Sequence, residues 1–159
     1  ILTTKSGMAR RSSELRELTE VKIPANQDSI GVAASYGDLS ENSEWEAAME
    51  EQRTLTSRAM AMEEELRNTC LIEEAAIPED TACPGTVVHY RETESGEEHR
   101  MILLGPWDED TWNGLQVVSY RAPLAQGLMG LHSGESTVLE LPSGELAIEL
   151  LSIEVPDLE

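Results

Sequence analysis

The sequence predicts an α+β fold, an N-terminal antiparallel coiled-coil hairpin followed by a small antiparallel β domain with one short helix. Three observations predict it. From Glu41 to Glu74 the chain holds no Gly or Pro and repeats mostly apolar positions in steps of three and four. A break punctuated by Pro78, Pro84 and Gly85 comes next. Beyond the break, short β-branched or alternating runs are separated by Gly-containing turns. The organisation reads as a hairpin over 1–76, a linker over 77–84 and a β domain over 85–159.

The long helix carries its seam at Trp45, Ala48, Gln52, Leu55, Ala59, Met62, Leu66 and Thr69, with glutamates crowding the flanks. A helix over 41–74 spans about 50 Å and cannot bury such a seam alone. The partner is the preceding segment, which Thr3 or Thr4 can cap and to which Met8, Leu15 and Leu18 give an apolar stripe. Pro24 should kink or interrupt that partner, because it lacks an amide donor and clashes with the previous turn. Ile30, Ala33 and Ala34 resume a helical pattern, and Gly37 reads as a left-handed stop. Asp38 or Ser40 can cap the next helix. The hairpin tip is therefore 37–44, and a hairpin that satisfies its own seam permits a monomer.

In the β half the expected strands are Thr86–Tyr90, Met101–Leu104, Leu115–Ser119, Ser136–Leu141 and Glu145–Ile153, with a helix over Pro123–Met129 that has Pro at its first turn. The Glu92–Glu98 run reads as a solvated hairpin turn. Phe is absent, so the core must be aliphatic.

Charge narrows the function. Thirty-one acids face eleven bases, for a net charge of -20 over 159 residues. That excludes a protein that coats DNA or RNA, and tight binding to free nucleic acid is not expected. An anionic membrane is equally disfavoured, and no apolar run is long enough to span a bilayer. No basic-then-apolar signal segment opens the chain, although its first residue, Ile1, leaves room for trimming or a longer protein. Cys70 and Cys83 read as two free thiols of a cytoplasmic protein, and His89, His99 and His132 show no ligand spacing.

The tip is the first candidate site. Asp38, Glu41 and Glu44 are spaced by three, so on a helix start they share a face. Such carboxylates suit a hard ion such as Mg²⁺. From the residues alone, capping a helix and satisfying its dipole is the simpler role for them. Pro123, Leu124, Leu128 and Met129 form a second, apolar set, which suits simple core of the small domain.

Residues Tyr36-Gly37-Asp38-Leu39-Ser40-Glu41-Asn42-Ser43-Glu44-Trp45-Glu46-Ala47-Ala48 resemble the tip of the bacterial Gre-type family of transcript cleavage and transcription elongation factors. The family pattern there is Gly-Asp-Leu-Ser/Lys-Glu-Asn-Ala-Glu-Tyr-x-Ala-Ala. The stretches 118–130 and 141–145 resemble its second signature, and Leu2-Thr3 and Val21-Lys22-Ile23-Pro24 sit where the family has a Leu-Thr start and a Val-Lys-Arg-Pro step, so the likeness covers nearly the whole chain. The resemblance implies that the β half is FKBP-like and docks on RNA polymerase core, at the rim of the secondary channel, with Pro123, Leu124, Leu128 and Met129 as the docking patch. It implies that the tip reaches the catalytic centre and stimulates cleavage of the nascent RNA 3′ end in backtracked or arrested complexes. Asp38 and Glu41 would be the two catalytic acids, ligands of a Mg²⁺ shared with the polymerase rather than held by the free protein. Ser40 would hydrogen-bond the water or RNA phosphate, with Asn42 and Glu44 supporting the tip. The chain would then be an accessory factor and not itself an enzyme. Two departures stand out. Ser29–Tyr36 carries no base, and Gln126 replaces a usual Arg or Lys. The bare approach over Ser29–Tyr36 favours an alternative, a Gre-like channel-binding modulator or inhibitor without cleavage activity, whereas the intact Asp38 and Glu41 favour cleavage.

Overall fold

The computed structural model describes residues 1–35, 37 and 42–158, with Asn42 described for its backbone only. Contacts divide the chain into two units, one of Ala9–Asn68 and one of Ile1–Met8 with Thr69–Glu159.

The first of these is the helical hairpin. Helix α1 (Lys5–Glu17) runs through a π-helical turn, Leu18–Lys22, into α2 (Ile23–Ser35), and α3 (Asn42–Arg67) returns antiparallel. The proline does not break the helix. Pro24 sits in the first turn of α2, and just before it the Ile23 N–H donates to Leu18 O, five residues back. The wider turn absorbs the missing donor and the ring. Leu18, Leu55, Ala59 and Met62 form the buried seam, with Leu15 and Ile23 against it. Toward the tip the seam turns polar: Asn26 Nδ2 donates to Ala48 O at 2.9 Å and to Gln52 Oε1 at 3.0 Å. Trp45, expected on the seam, is 37% exposed.

The long helix ends earlier than the absence of Gly and Pro suggests. It closes at Arg67, where Asn68 turns its Nδ2 back to Glu64 O at 3.0 Å. The chain beyond Asn68 belongs to the β unit. Strand β1 (Leu2–Thr3) pairs in parallel with β2 (Cys70–Leu71), and Ile72, in a 3₁₀ turn, is 1% exposed in the core. Residues 1–8 and 69–76 therefore pack with the β domain, which moves the boundary from 76/77 to 68/69. The 77–84 stretch is not a free linker either. Ala82 is 1% exposed, donates its N–H to Leu131 O and accepts from the Gly130 N–H.

The β domain adds β3 (Val87–Glu92), β4 (Glu98–Leu104), β5 (Thr111–Trp112), β6 (Leu115–Ser119), α4 (Pro123–Leu128), β7 (Ser136–Leu141) and β8 (Gly144–Glu154). The sheet order is β5-β6-β4-β3-β8-β7. It is antiparallel except where β4 and β6 run parallel, Met101 opposite Gln116. Asn113 and Gly114, both at positive φ, make the tight turn between Trp112 and Leu115. Alternation splits the sheet into two buried faces. Val88, Tyr90, Met101 and Leu103 join Ala125, Leu128, Leu139, Ile148 and Leu150 on the α4 side. Val87, Ile102 and Leu104 join Ile72 on the other. A strand covered on both sides reads as an unbroken apolar run, as Met101–Leu104 does.

One carboxylate fastens the chain's start to this domain. Asp108 accepts from Thr3 Oγ1 at 3.0 Å, the Thr4 N–H at 3.1 Å, Thr4 Oγ1 at 2.5 Å and the Gly105 N–H at 2.6 Å. Thr4 Oγ1 in turn caps α1 by accepting the Gly7 N–H at 3.1 Å. A Cβ on Gly7 would stand 2.3 Å from both Asp108 Oδ1 and Thr3 Oγ1, whereas one on Gly31 meets nothing within 4 Å. The same substitution should therefore have opposite signs. Gly31→Ala is expected to stabilise by about 0.5–1 kcal/mol through helix propensity. Gly7→Ala makes the same local gain but disrupts the knot, for a net loss of about 1–3 kcal/mol. Urea unfolding of both variants measures this, and a Gly7→Ala chain more stable than the parent would refute the knot.

Candidate functional site

The tip motif spans the connection between two helices. Helix α2 runs to Ser35, whose Oγ donates to Val32 O at 2.6 Å, and Gly37 holds φ at +68°. That left-handed backbone is the stop the sequence anticipates, cheap only for glycine. Helix α3 opens at Asn42 with Glu44 in its first turn, where the helix dipole favours an acid. Asp38, Ser40 and Glu41 lie outside the described residues, as does the Asn42 side chain. Glu44 is exposed and, with Ala48, faces Asp28, Ser29, Val32 and Ala33 across a shallow groove between α2 and α3. This groove escaped the sequence reading because Val32, 54% exposed, breaks no periodicity.

The electrostatics of the tip half are uniform. No Lys or Arg occurs between Lys22 and Arg53, and the sole charge on α2 is Asp28. Bases return toward the hairpin's other end, where Arg11 pairs with Glu65 at 2.8 Å and Glu14 at 3.0 Å. Burial alone would lower the Arg11 pKa, and the bonds and charges of Glu65 and Glu14 outweigh it, so the net shift is upward.

The apolar set around α4 resolves mainly as core. Leu128 is 0% exposed among Ala125, Leu139 and Ile148 and offers nothing to a partner. Leu124 and Met129 are half-buried against the same cluster, and Pro123 is exposed. Gln126, also exposed, donates from Nε2 to Tyr120 O at 2.7 Å and so closes the turn into α4. Both cysteines are free, and no helix among the described residues is long and apolar enough to cross a membrane.

Comparison with known proteins agrees over the full length. The family described as transcription elongation factor, N-terminal, matches residues 1–70, and that described as transcription elongation factor, GreA/GreB, C-terminal, matches 77–155. Transcription elongation factor GreA of Bacillus cytotoxicus is 32% identical over 151 residues, which cover 95% of this chain and 94% of the relative. Its counterpart in Treponema pallidum is 30% identical over 158 residues, 99% of this chain and 96% of that one. Among solved structures, GreA factor homolog 1 (Gfh1) of Thermus thermophilus aligns over 97% of this chain and 98% of its own, at 21% identity and a TM-score of 0.43. Two family matches on consecutive segments, with relatives at 30% identity or more end to end, place the chain in the GreA/GreB family of transcription elongation factors.

Proposed function

We propose that the chain is an accessory factor that binds RNA polymerase through its secondary channel and stimulates cleavage of the nascent RNA 3′ end in backtracked complexes. What supports this reading is the sequence motif Gly37–Glu44, whose numbers fall between the end of α2 at Ser35 and the first turn of α3, with Gly37 in the left-handed conformation that stops a helix. The donor set of Asp38 and Glu41, two carboxylates three positions apart, supplies only hard oxygen ligands and suits Mg²⁺. Asp38 and Glu41 would hold that ion jointly with the polymerase, where a divalent ion readies a water and steadies a leaving oxygen in phosphoryl hydrolysis. Ser40 would orient the water or the RNA phosphate, Asn42 and Glu44 would support the turn, and the polymerase would supply the remaining chemistry. The exposed Pro123, with the half-buried Leu124 and Met129, is the proposed contact on the channel rim; Leu128 acts by packing beneath them.

The test is a stalled elongation complex with radiolabelled RNA. Shortened RNA that can be re-extended supports the reading. The base-free stretch between Lys22 and Arg53 favours a second one, a modulator that occupies the channel without cleaving. In that case the same complex is slowed while its RNA keeps its length.

A further inference from the structure

We propose that Glu92, Glu97 and His99 form a three-ligand site for a divalent transition-metal ion of the zinc class at the closed end of the β3–β4 hairpin. The proposal is independent of the tip and of any polymerase. Glu92 ends β3, Glu97 lies in the turn and His99 is on β4, opposite Tyr90. Among the described residues, this is the one group of His, Cys, Asp and Glu side chains that can hold an ion, with ligand atoms all within 4.8 Å of one another. His99 Nε2 lies 3.4 Å from Glu92 Oε1 and 4.0 Å from Glu97 Oε2. Zinc bonds of about 2.0–2.2 Å at tetrahedral angles put neighbouring ligand atoms about 3.3–3.6 Å apart. The first separation fits as it stands, and the exposed Glu97 needs only a small swing.

A cluster of acids alone would say little. The second observation is His99 itself. Its Nε2 is shut off from solvent and makes no hydrogen bond, although two carboxylate oxygens stand nearby. A buried polar nitrogen without a partner calls for one. The cations that could compensate the acids are used elsewhere: Arg91 on Glu149 at 2.6 Å, Arg100 on Glu154 at 2.8 Å, and His89 on Glu98 at 3.2 Å.

The surroundings are built to hold the three in place. The turn is closed by the Glu92 N–H donating to Glu97 O at 2.8 Å and the Gly96 N–H to Glu92 O at 2.9 Å, with Gly96 at φ +73°. Ser95 Oγ donates to Glu92 Oε2 at 2.6 Å, which leaves Oε1 as the free donor toward His99. That is the outer support a metal-binding carboxylate needs. The Tyr90 ring lies 5.1 Å from the imidazole and fixes its plane from the core side. An imidazole nitrogen beside two carboxylates selects zinc, cobalt or nickel over Mg²⁺, and a water would take the fourth position.

Calorimetry of the full chain with Zn²⁺ alone, after chelator treatment, tests the proposal. One equivalent should bind, and the histidine NMR signals of His99 should shift while those of His89 and His132 do not. His99→Gln and Glu92→Gln should each weaken binding tenfold or more, and His89→Gln should leave it unchanged. Glu97→Gln, on an exposed turn, serves where the strand variants fail to fold, and should weaken it severalfold. A paired Asp38→Asn and Glu41→Gln change should keep the Zn²⁺ event intact. Absence of a one-equivalent event, or one that Glu97→Gln and His99→Gln leave untouched, would overturn the site.

Discussion

Asp38→Asn and Glu41→Gln are each expected to lower stimulated RNA cleavage by about 100-fold or more while leaving polymerase affinity within a few-fold. Each change removes one ligand charge and keeps the side chain's shape, so the loss belongs to the reacting state and not to docking. A divalent ion in phosphoryl hydrolysis stabilises developing charge by several kcal/mol, and about 3 kcal/mol is already a factor of 100. Raised Mg²⁺ should rescue the single variants in part, since a weakened site refills by mass action. Glu44→Gln is the comparison, because Glu44 sits in the first turn of α3, where an acid also serves the helix. It should cost less than either of the other two. Cleavage rates on a stalled complex, with a competition measurement of binding, separate the two quantities. Full cleavage by both Asp38→Asn and Glu41→Gln would end the ligand assignment. A loss of binding equal to the loss of rate would make the acids docking residues.

The strands were the most legible part of the fold. Their alternation and the Asn113-Gly114 and Ser143-Gly144 turns are local signals, and the five expected strands are found with ends within a few residues, whereas the two-residue strands β1, β2 and β5 are too short to carry a period and were not expected. Tertiary effects were less legible. Asn68 ends α3 without a Gly or Pro because Cys70–Leu71 pairs with Leu2–Thr3 and Ile72 is taken into the β core. Ala82 looked like linker because one small residue between polar neighbours carries no period, yet it is hydrogen-bonded on both sides to Gly130 and Leu131. The parallel β4–β6 pair could not be read from order alone, since the crossing chain is short and has no helix. Pro24 illustrates a rule with two outcomes: a kink or an interruption is expected, and the helix continues through a π turn just before the proline, which supplies the extra residue. The Glu92–Glu98 run reads as solvent-facing charge. Only the β3–β4 register shows that Glu92 and His99 flank Tyr90 on the core side. The tip acids are the reverse case, plain in the sequence and outside the described residues.

Met62→Asp is expected to melt the hairpin and spare the β domain. Met62 is 2% exposed and closes a seam of only four buried residues, Leu18, Leu55, Ala59 and itself. Its replacement forfeits about 2–3 kcal/mol of apolar burial and leaves a carboxylate unpaired against aliphatic carbon, for about 3–5 kcal/mol more. A unit the size of Ala9–Asn68 has a stability of about 3–9 kcal/mol at the usual value per residue, so the substitution is comparable to the whole. Limited trypsin digestion reads the outcome directly. Arg53, Arg58 and Arg67 lie on α3 and should be cut rapidly once it frays, while Arg91 and Arg100, within β3 and β4, stay protected. Met60→Asp adds the same charge to the same helix at a position 65% exposed and should change nothing, which separates burial from charge. Met62→Leu keeps the volume and should cost under about 1.5 kcal/mol. If Met62→Asp remains as resistant at Arg58 as the parent chain, the seam is not what holds α3 against its partner. If Arg91 and Arg100 become sensitive in step with Arg58, the two units unfold as one. The hairpin would then draw its stability from the β domain rather than from Leu18, Leu55, Ala59 and Met62.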